Sequence, residues 1–176
     1  MKTISYIAMS LNGKIARLNG AVDWLESLPN PDKVDYGYED FLNTIEITIQ
    51  GNKTYQQIVE WGIDFPYKGK LNFVLTSSEN AKDNENIKFI KSNHLHFIKE
   101  MKAQEGGGIW VIGGSQVNTF MLNNKLLDEL RLFVMPILLP SGIDLFSQFP
   151  NETLLELIEE KSYSTGVVEM RYKICY

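Results

Sequence analysis

A glycine pair in the middle of the chain has the residue types needed to bind a phosphate group. Gly113 and Gly114 follow the run Ile109–Ile112, whose β-branched and aromatic side chains favour a buried strand. Val117 and Phe120 then recur at helical spacing, which predicts a strand, a turn and a helix. Glycine allows close approach to backbone amides, and a helix N-terminus presents unpaired N–H groups and a positive dipole end. Such a unit can therefore bind phosphate.

The glycine pair does not match a standard nucleotide-binding motif. It lacks the G-x-G-x-x-G spacing of the dinucleotide fingerprint, and no Lys follows at the P-loop spacing. The sequence therefore leaves two interpretations open. The glycines form a phosphate-binding turn, or they only allow the strand and the helix to pack closely.

Other catalytic chemistry has little support in the sequence. His94 and His96 form an H-x-H pair, but the chain has no further His, and its single cysteine, Cys175, lies near the C-terminus. Since even a catalytic zinc needs three protein ligands, we expect no metal site and place the pair at a solvated edge between a loop and a helix. No G-x-S-x-G or cysteine-protease signature is present.

Composition restricts the class of protein and its partners. We expect one domain over residues 1–176, because this length supports a substantial core. The formal charge of −5 argues against nucleic acid or an acidic membrane as a general partner. One cysteine excludes a disulfide framework, so the cytoplasm is the expected compartment. No signal-peptide core or membrane-spanning run is present.

Strand and helix patterns alternate along the chain, which predicts an α/β sheet. The closing segments Leu154–Tyr163 and Val167–Cys175 predict an antiparallel hairpin. The other predicted strands are 3–8, 46–50, 71–76, 87–90, 109–112 and 126–136, and the predicted helices cover roughly 36–45, a segment from 54, a segment around 97–101, and one from 115.

Several segments, in this order, resemble the dihydrofolate reductase fold, and more closely the reductase domain of riboflavin biosynthesis and its stand-alone relatives. They are Ser10–Ala16 (SLNGKIA), Gly51–Tyr55 (GNKTY), Val74–Ser78 (VLTSS), and Val111–Ser115 (VIGGS) with its continuation to Pro136 and Leu145-Phe146. The resemblance implies a central mixed, mainly parallel sheet of about eight strands flanked by helices. It also implies a homodimer and an NADPH-dependent reductase acting on a small heterocycle, either a pteridine or a ribosylaminopyrimidine.

The resemblance also assigns cofactor contacts by position. Gly51 to Thr54 would end a strand and open a helix, a second phosphate site like the one after Ile112, so the two helix N-termini could hold the diphosphate together. Ala8 and Ile15 would offer backbone groups to the nicotinamide amide, and Ser77 would face the adenosine ribose phosphate. The full implied set is Ala8, Ile15, Gly51, Asn52, Lys53, Thr54, Thr76, Ser77, Ile112, Gly113, Gly114, Ser115, Gln116 and Val117.

The sequence departs from the family pattern at three positions. Asn52 stands where the family has an Arg that grips the 2′-phosphate, and the loss of a bidentate guanidinium weakens NADPH selectivity. Lys53 can supply part of that charge. Asn12 replaces the usual Asp, which argues against acid–base chemistry there, and Pro140 replaces a frequent Gly, which should stiffen its loop.

The source of the substrate proton is left open by the sequence. Dihydrofolate reductases use a carboxylate before the second motif, where Asp35 and Glu39 lie here, and Asp23 beside Trp24 is the other candidate. Asp35 and Glu39 suit a helix N-terminus or a solvated face better than a catalytic role, whereas Asp23 suits a turn and a catalytic role equally. If no carboxylate serves, water could protonate an imine-type substrate. The alternative function is a non-catalytic, dimeric nucleotide-binding module on the same fold.

Overall fold

The computed structural model describes residues 1–176 and is organised around an eight-stranded sheet. The strands are β1 (Thr3–Ser10), β2 (Lys14–Ala16), β3 (Ile45–Gly51), β4 (Leu71–Leu75), β5 (Lys88–Ile90), β6 (Gly108–Gly113), β7 (Glu129–Met135), β8 (Ile143–Asp144), β9 (Leu154–Ser162) and β10 (Val168–Cys175). The helices are α1 (Tyr38–Asn43), α2 (Asn52–Glu60), α3 (His94–Ala103) and α4 (Ser115–Asn123). No helix has the length and hydropathy needed to cross a membrane.

The main sheet has the strand order β5-β4-β3-β6-β1-β7-β10-β9. All neighbours from β5 to β7 are parallel, whereas β10 pairs antiparallel with both β7 and β9. The predicted mixed, mainly parallel sheet with a closing antiparallel hairpin is therefore confirmed. The mostly apolar β1 lies between β6 and β7, as its composition indicates for a strand covered on both faces.

The two faces of the sheet are covered by different helices. Ile98 of α3 and Met121 of α4 belong to the largest apolar cluster, on one face. Phe41 of α1 and Ile58 of α2 pack with Trp110 on the other face. Successive side chains of a strand point to opposite faces, and the central strands contribute apolar residues to the clusters on both faces. This arrangement is typical of a parallel sheet between two helical layers.

Two local features differ from the sequence-based expectation. The helix predicted near 36–45 covers only Tyr38–Asn43. Asp35 accepts hydrogen bonds from the Gly37 and Glu39 amides at its start, and strand β3 already begins at Ile45. The short β2 pairs with β8, a strand of two residues that no sequence pattern indicated. By contrast, His94 and His96 lie in the first turn of α3, at the predicted edge between a loop and a helix.

Candidate active site

The two predicted phosphate-binding turns lie side by side at one edge of the sheet. Strands β3 and β6 are parallel neighbours, and Gln50 pairs in register with Gly113. Helix α2 therefore begins next to helix α4, at the carboxyl ends of adjacent strands. Open α/β sheets commonly bind ligands at this position. We call the edge formed by Gly51–Thr54 and Gly113–Val117 the glycine edge.

Backbone amides are the main polar groups of the glycine edge. The N-cap residues are Gly51 for α2 and Gly114 for α4, and neither helix start receives a side-chain hydrogen bond. Each helix therefore presents its first-turn N–H groups together with the positive end of its dipole. The first-turn residues are Asn52, Lys53 and Thr54 in α2 and Ser115, Gln116 and Val117 in α4.

The glycines allow the two turns to touch. A Cβ atom on Gly51 would lie 3.2 Å from Val117 Cγ2, and one on Gly114 would lie 3.3 Å from Thr54 Oγ1. Gly113 has a φ of +107°, and a Cβ there would lie 3.3 Å from Asn118 Oδ1. Close packing therefore needs these glycines, and the same packing brings two sets of unpaired amides together. The two interpretations left open by the sequence are compatible.

Strand β4 extends the glycine edge on one side. Its last residue, Leu75, pairs with Gly51, so Thr76 and Ser77 follow directly beside the start of α2. Thr76 is buried and its Oγ1 accepts a hydrogen bond from the Ser78 amide at 3.1 Å, whereas Ser77 is exposed. Lys53 is exposed at the same edge. The structure thus brings the predicted ribose-phosphate contacts next to the predicted diphosphate contacts.

The loop after β1 is held by Asn12. Its Nδ2 donates to the Leu139 carbonyl oxygen at 2.8 Å, and its Oδ1 accepts from the Leu139 amide at 3.1 Å. Ser10 Oγ also donates to Asn12 Oδ1. An ionised Asp could not make the first of these bonds, so Asn12 in this chain is a structural residue. Farther along the loop, Gly20 packs against Gln57 of α2.

An aromatic pocket opens beside the carboxyl end of β1. It has a volume of about 260 Å³, and Tyr6, Ala8, Tyr36, Tyr38 and Phe133 form much of its wall. Ala8 is the residue predicted to face the nicotinamide. We call this cavity the aromatic pocket. No sequence pattern identified its four aromatic residues as a group, because they come from three separate segments.

A charged network lies against the rings of the aromatic pocket. The Arg131 guanidinium carbon is 5.1 Å from the centroid of the Tyr6 ring, and Arg131 Nε donates to Glu169 Oε1 at 2.5 Å. Tyr163 Oη donates to the other Glu169 oxygen at 2.6 Å. Burial raises the pKa of Tyr6 and of Tyr163 well above the usual range. Both phenols therefore stay neutral, and Tyr6 donates to the Tyr36 carbonyl oxygen at 3.2 Å.

The three candidate carboxylates have different surroundings. Arg17 forms two hydrogen bonds with Asp23, at 2.7 and 2.9 Å, and this contact lowers the pKa of Asp23. Backbone hydrogen bonds from Gly37 and Glu39 lower the pKa of Asp35, which lines the aromatic pocket. The Glu39 side chain is exposed on α1. Asp23 and Asp35 are thus ionised at neutral pH and are poor proton donors there.

The histidines do not form part of a metal cluster. Nε2 of His94 lies 2.8 Å from the Ile90 carbonyl oxygen and 3.2 Å from that of Thr76, and His96 lies beside Glu100. No group of three or more His, Cys, Asp or Glu side chains with metal-binding geometry is present. His94 instead fixes the end of β4, because its ring N–H is positioned to donate to backbone carbonyls.

Comparison with known proteins assigns the chain to a family. The family model of the RibD C-terminal domain matches residues 66–168. The chain belongs to the RibD C-terminal domain family. Two Bacillus subtilis (strain 168) proteins, YwjB and YyaP, are similar to this RibD-type chain over 94% of its length, with 37% and 31% identity. The similarity covers 94% and 91% of those proteins, respectively.

Solved structures place the RibD-type chain in the dihydrofolate reductase fold. A protein of Shewanella sp. PV-4 that is named for riboflavin biosynthesis superposes with a TM-score of 0.87 and 26% identity, over 100% of both chains. The deaminase/reductase of Thermotoga maritima gives 0.72 and 18%, over 99% of this chain and 56% of its own. Dihydrofolate reductase from Enterococcus faecalis, complexed with NADP(H), gives 0.65 and 15%, over 98% and 96%. The RibD-type chain therefore has a reductase-type fold.

The predicted residues fall into two groups in the structure. Most of the cofactor candidates lie at the ends of neighbouring strands. Thr76 and Ser77 follow β4, the neighbour of β3, and Ala8 lines the aromatic pocket. Ile112 packs next to Trp110 on the face of α1 and α2, and Ile15 lies in β2. Of the carboxylate candidates, Asp35 alone lines the aromatic pocket.

Proposed function

We propose that this protein is an NADPH-dependent reductase that transfers a hydride to a small heterocyclic substrate of the kind found in folate or riboflavin metabolism. The observation that carries the proposal is the juxtaposition of two uncapped helix N-termini with an aromatic pocket. Gly51 and Gly114 are the N-cap residues of the two helices, and Ala8, which lines the pocket, lies on β1 beside β6. Membership of the RibD C-terminal domain family supports it.

The residues present fit a reduced pyridine dinucleotide. The first-turn amides of α2 and α4 would bind the diphosphate, since two helix N-termini offer donors and positive potential without any Lys or Arg. Thr76, Ser77 and Lys53 would face the adenosine ribose phosphate, and the backbone of Ala8 and Ile15 would face the nicotinamide amide. When bound, NADPH supplies the hydride, and the protein supplies position and orientation.

The aromatic pocket would hold the acceptor. Tyr6, Tyr36 and Phe133 offer flat apolar surfaces on which a heteroaromatic ring can stack and from which water is displaced. Because Asp35 is ionised and Tyr6 already donates to the Tyr36 carbonyl oxygen, neither is a ready proton source. We therefore propose that water at the pocket mouth protonates the product, and that the protein contributes mainly by placing the reacting carbon.

Cofactor binding tests the proposal directly. NADPH added to the protein should enhance nicotinamide fluorescence and give a dissociation constant in the micromolar range or below. Calorimetry should return the same constant. Absence of binding at millimolar NADPH would contradict the proposal, because the glycine edge would then not serve a dinucleotide.

A non-catalytic, nucleotide-binding module on this fold is the second candidate. The ionised state of Asp23 and Asp35 favours it, because no carboxylate near the pocket is poised to give up a proton. Such a module would bind NADPH and never oxidise it. A screen of NADPH oxidation with pterins, ribosylaminopyrimidines and simple imines separates the two functions.

We also propose a cytoplasmic homodimer. Strand β9 is the outer strand of the sheet and is exposed along its whole length, and it carries the exposed side chains of Leu154, Leu155, Leu157 and Ile158. The strand also carries Glu156, Glu159, Glu160 and Lys161, so the proposal rests on its four exposed apolar side chains, a feature common at protein–protein interfaces. Sedimentation equilibrium should give twice the monomer mass, and Leu157→Lys should shift the equilibrium toward monomer.

A further inference from the structure

The aromatic pocket contains no cationic side chain. Eight of its ten lining residues are hydrophobic, and the other two are Asn30 and Asp35. The Asn30 side chain bonds to the Val34 backbone, with its Nδ2 donating to the carbonyl oxygen at 2.9 Å and its Oδ1 accepting from the amide at 2.8 Å. The wall therefore offers aromatic surface and one carboxylate, and no partner for a phosphate group.

The carboxylate at the pocket is held in place by the backbone. Asp35 Oδ1 accepts from the Gly37 amide at 2.9 Å, and Oδ2 accepts from the Glu39 amide at 3.2 Å. These bonds stabilise the charged form, so a negative charge stays at the pocket across the neutral pH range. An approaching dianion is repelled, whereas a neutral or cationic ring is not.

The arginine that contacts the rings of the aromatic pocket, Arg131, already has a carboxylate partner. Arg131 forms an ion pair with Glu169, and its guanidinium carbon lies 5.1 Å from the Tyr6 ring centroid and 5.7 Å from that of Phe133. Only 19% of its side chain is exposed. Lys161 lies over the ring of Tyr163, with its Nζ 4.7 Å from the centroid, and does not line the pocket. Neither cation is available to a phosphate bound in the aromatic pocket.

The size of the aromatic pocket also limits its occupant. Its volume of about 260 Å³ is below the range of about 300–1,000 Å³ typical of small-molecule sites. One flat ring system matches this volume better than a ring that carries a sugar phosphate.

We infer that the acceptor of this reductase is a flat, unphosphorylated heterocycle that is neutral or cationic, and that phosphoribosyl compounds are discriminated against at the aromatic pocket. This inference rests on the proposed reductase function. Asp35 acts as a specificity residue by repulsion, and the apolar wall leaves a phosphate without any charged partner. The substrate of this reductase would therefore have lost its phosphate group in an earlier reaction, or would never have carried one.

The first test compares 5-amino-6-ribosylaminouracil with its 5′-phosphate as acceptors for NADPH oxidation. The kcat/KM value should be at least about tenfold higher for the unphosphorylated compound, because Asp35 repels the phosphate and the apolar wall would remove water from it without supplying a charged partner. Equal or faster reduction of the phosphate would overturn the inference and leave the reductase function standing. Absence of NADPH binding would overturn both.

A binding measurement decides the case in which NADPH binds but neither acceptor is reduced. Uridine and uridine 5′-monophosphate are titrated by saturation-transfer NMR in the presence of excess NADP⁺, which occupies the phosphate-binding amides of the glycine edge. Tighter binding of uridine supports the inference, and tighter or equal binding of the monophosphate contradicts it.

Charge substitutions test whether the aromatic pocket is the place where the protein distinguishes phosphorylated from unphosphorylated compounds. Asp35→Asn should narrow the preference by about two- to fivefold, the range expected for an exposed charge. Asp32→Asn, which makes the same charge change on an exposed residue of the same loop that does not line the pocket, should have no effect. An equal effect of both variants would indicate a general field and would contradict a role for the pocket.

Leu28→Lys adds a cation to the pocket wall and should raise the affinity for the monophosphate by about fivefold or more. Leu18→Lys is the matched control, because Leu18 is 72% exposed and lies outside the lining. Thermal unfolding verifies that both variants fold. If the folded Leu28→Lys protein keeps the wild-type preference, the aromatic pocket is not the site of discrimination and the inference fails.

Discussion

The glycine edge and the aromatic pocket are the two parts of the proposed site, and they are built in different ways. The glycine edge uses backbone amides from two short contiguous stretches, Gly51–Thr54 and Gly113–Val117. The aromatic pocket uses side chains from β1, from the segment before and at the start of α1, and from β7. A backbone site tolerates changes of side chain but not of glycine, whereas the pocket depends on long-range contacts between side chains.

Under the proposed function, the glycine edge binds the cofactor and the aromatic pocket selects the substrate. Amide donors at helix N-termini recognise phosphate whatever side chains surround them, so the glycine edge can be retained while the pocket changes. Variants that damage one region and spare the other will therefore test whether the two are independent.

The largest effect is expected on the pocket side, from Glu169→Gln. This change leaves the mostly buried Arg131 without its counter-ion and weakens the bond from Tyr163, so the free energy of unfolding should fall by about 3 kcal/mol. Urea denaturation measures this loss. Glu159→Gln removes an exposed partner of Arg171 and should cost less than about 1 kcal/mol.

The affinity of the Glu169→Gln variant for NADPH shows whether damage to the pocket network also reaches the glycine edge. Below the unfolding transition, the dissociation constant for NADPH should stay within about threefold of wild type, a change smaller than 1 kcal/mol. A much larger loss of cofactor affinity in the folded variant would show that the glycine edge depends on the pocket network.

Gly114→Val should have the next largest effect, on the glycine side. A Cβ at this position already lies 3.3 Å from Thr54 Oγ1, and a branched side chain would separate the two helix starts and cover their amides. NADPH affinity should fall by about 100-fold, equivalent to about 2.7 kcal/mol. Gly114→Ala should give a smaller loss, since a shift of a few tenths of an ångström can accommodate one methyl group. Equal affinities for all three proteins would contradict phosphate binding at this edge.

Asn52→Arg should strengthen the glycine edge rather than damage it. A guanidinium at the start of α2, beside Lys53, can make charge-assisted bonds to a 2′-phosphate. NADPH affinity should rise by about tenfold, which corresponds to one such bond, while NADH affinity should not change. Fluorescence titration with both cofactors measures the ratio. A parallel rise for NADH would indicate contact with the diphosphate instead.

The smallest effect concerns the pH dependence of Asp35. Hydrogen bonds from the Gly37 and Glu39 amides lower its pKa from the usual 3.8, so the folded state favours its charged form. The resulting stabilisation is present above the unfolded-state pKa and is lost as pH falls through the lower folded-state pKa. Asp35→Asn should reduce the drop in melting temperature between pH 5 and pH 3. An unchanged drop would assign the acid sensitivity to the other carboxylates with lowered pKa values, Asp23 and Asp128.

The elements of the fold could be read from local patterns because strands buried on both faces are continuous apolar runs. Ile109–Ile112 is of this kind, the first strand is mostly apolar, and both lie centrally in the sheet. The strand β8 has two residues and is defined only by its pairing with β2, so no local pattern could reveal it. The helix α1 was correctly located but is shorter than predicted, because its start is set by the left-handed N-cap Gly37 and the turn that Asp35 stabilises, and composition does not specify this backbone geometry.

The candidate site also has a part that local sequence patterns reveal and a part that only the tertiary structure reveals. The Gly113–Gly114 turn and the Gly51–Thr54 turn were identified from the sequence, since glycine after an apolar run marks a strand end that opens into a helix. Their adjacency depends on the pairing of β3 with β6, whose partner residues are more than sixty positions apart in the chain. The roles of Asp23, Asp35 and Glu39 in catalysis remain predictions.

The sequence alone determined most of the strands and helices in their order, the positions of both glycine turns and the family that the chain resembles, because these properties reside in contiguous residues. Only the tertiary structure brought Tyr6, Tyr36 and Phe133 into one wall, placed Arg131 against Glu169, and left the pocket with a carboxylate and no cation. The physical reason is that a pocket is defined by distances between side chains, which sheet register and helix packing set and local periodicity does not encode.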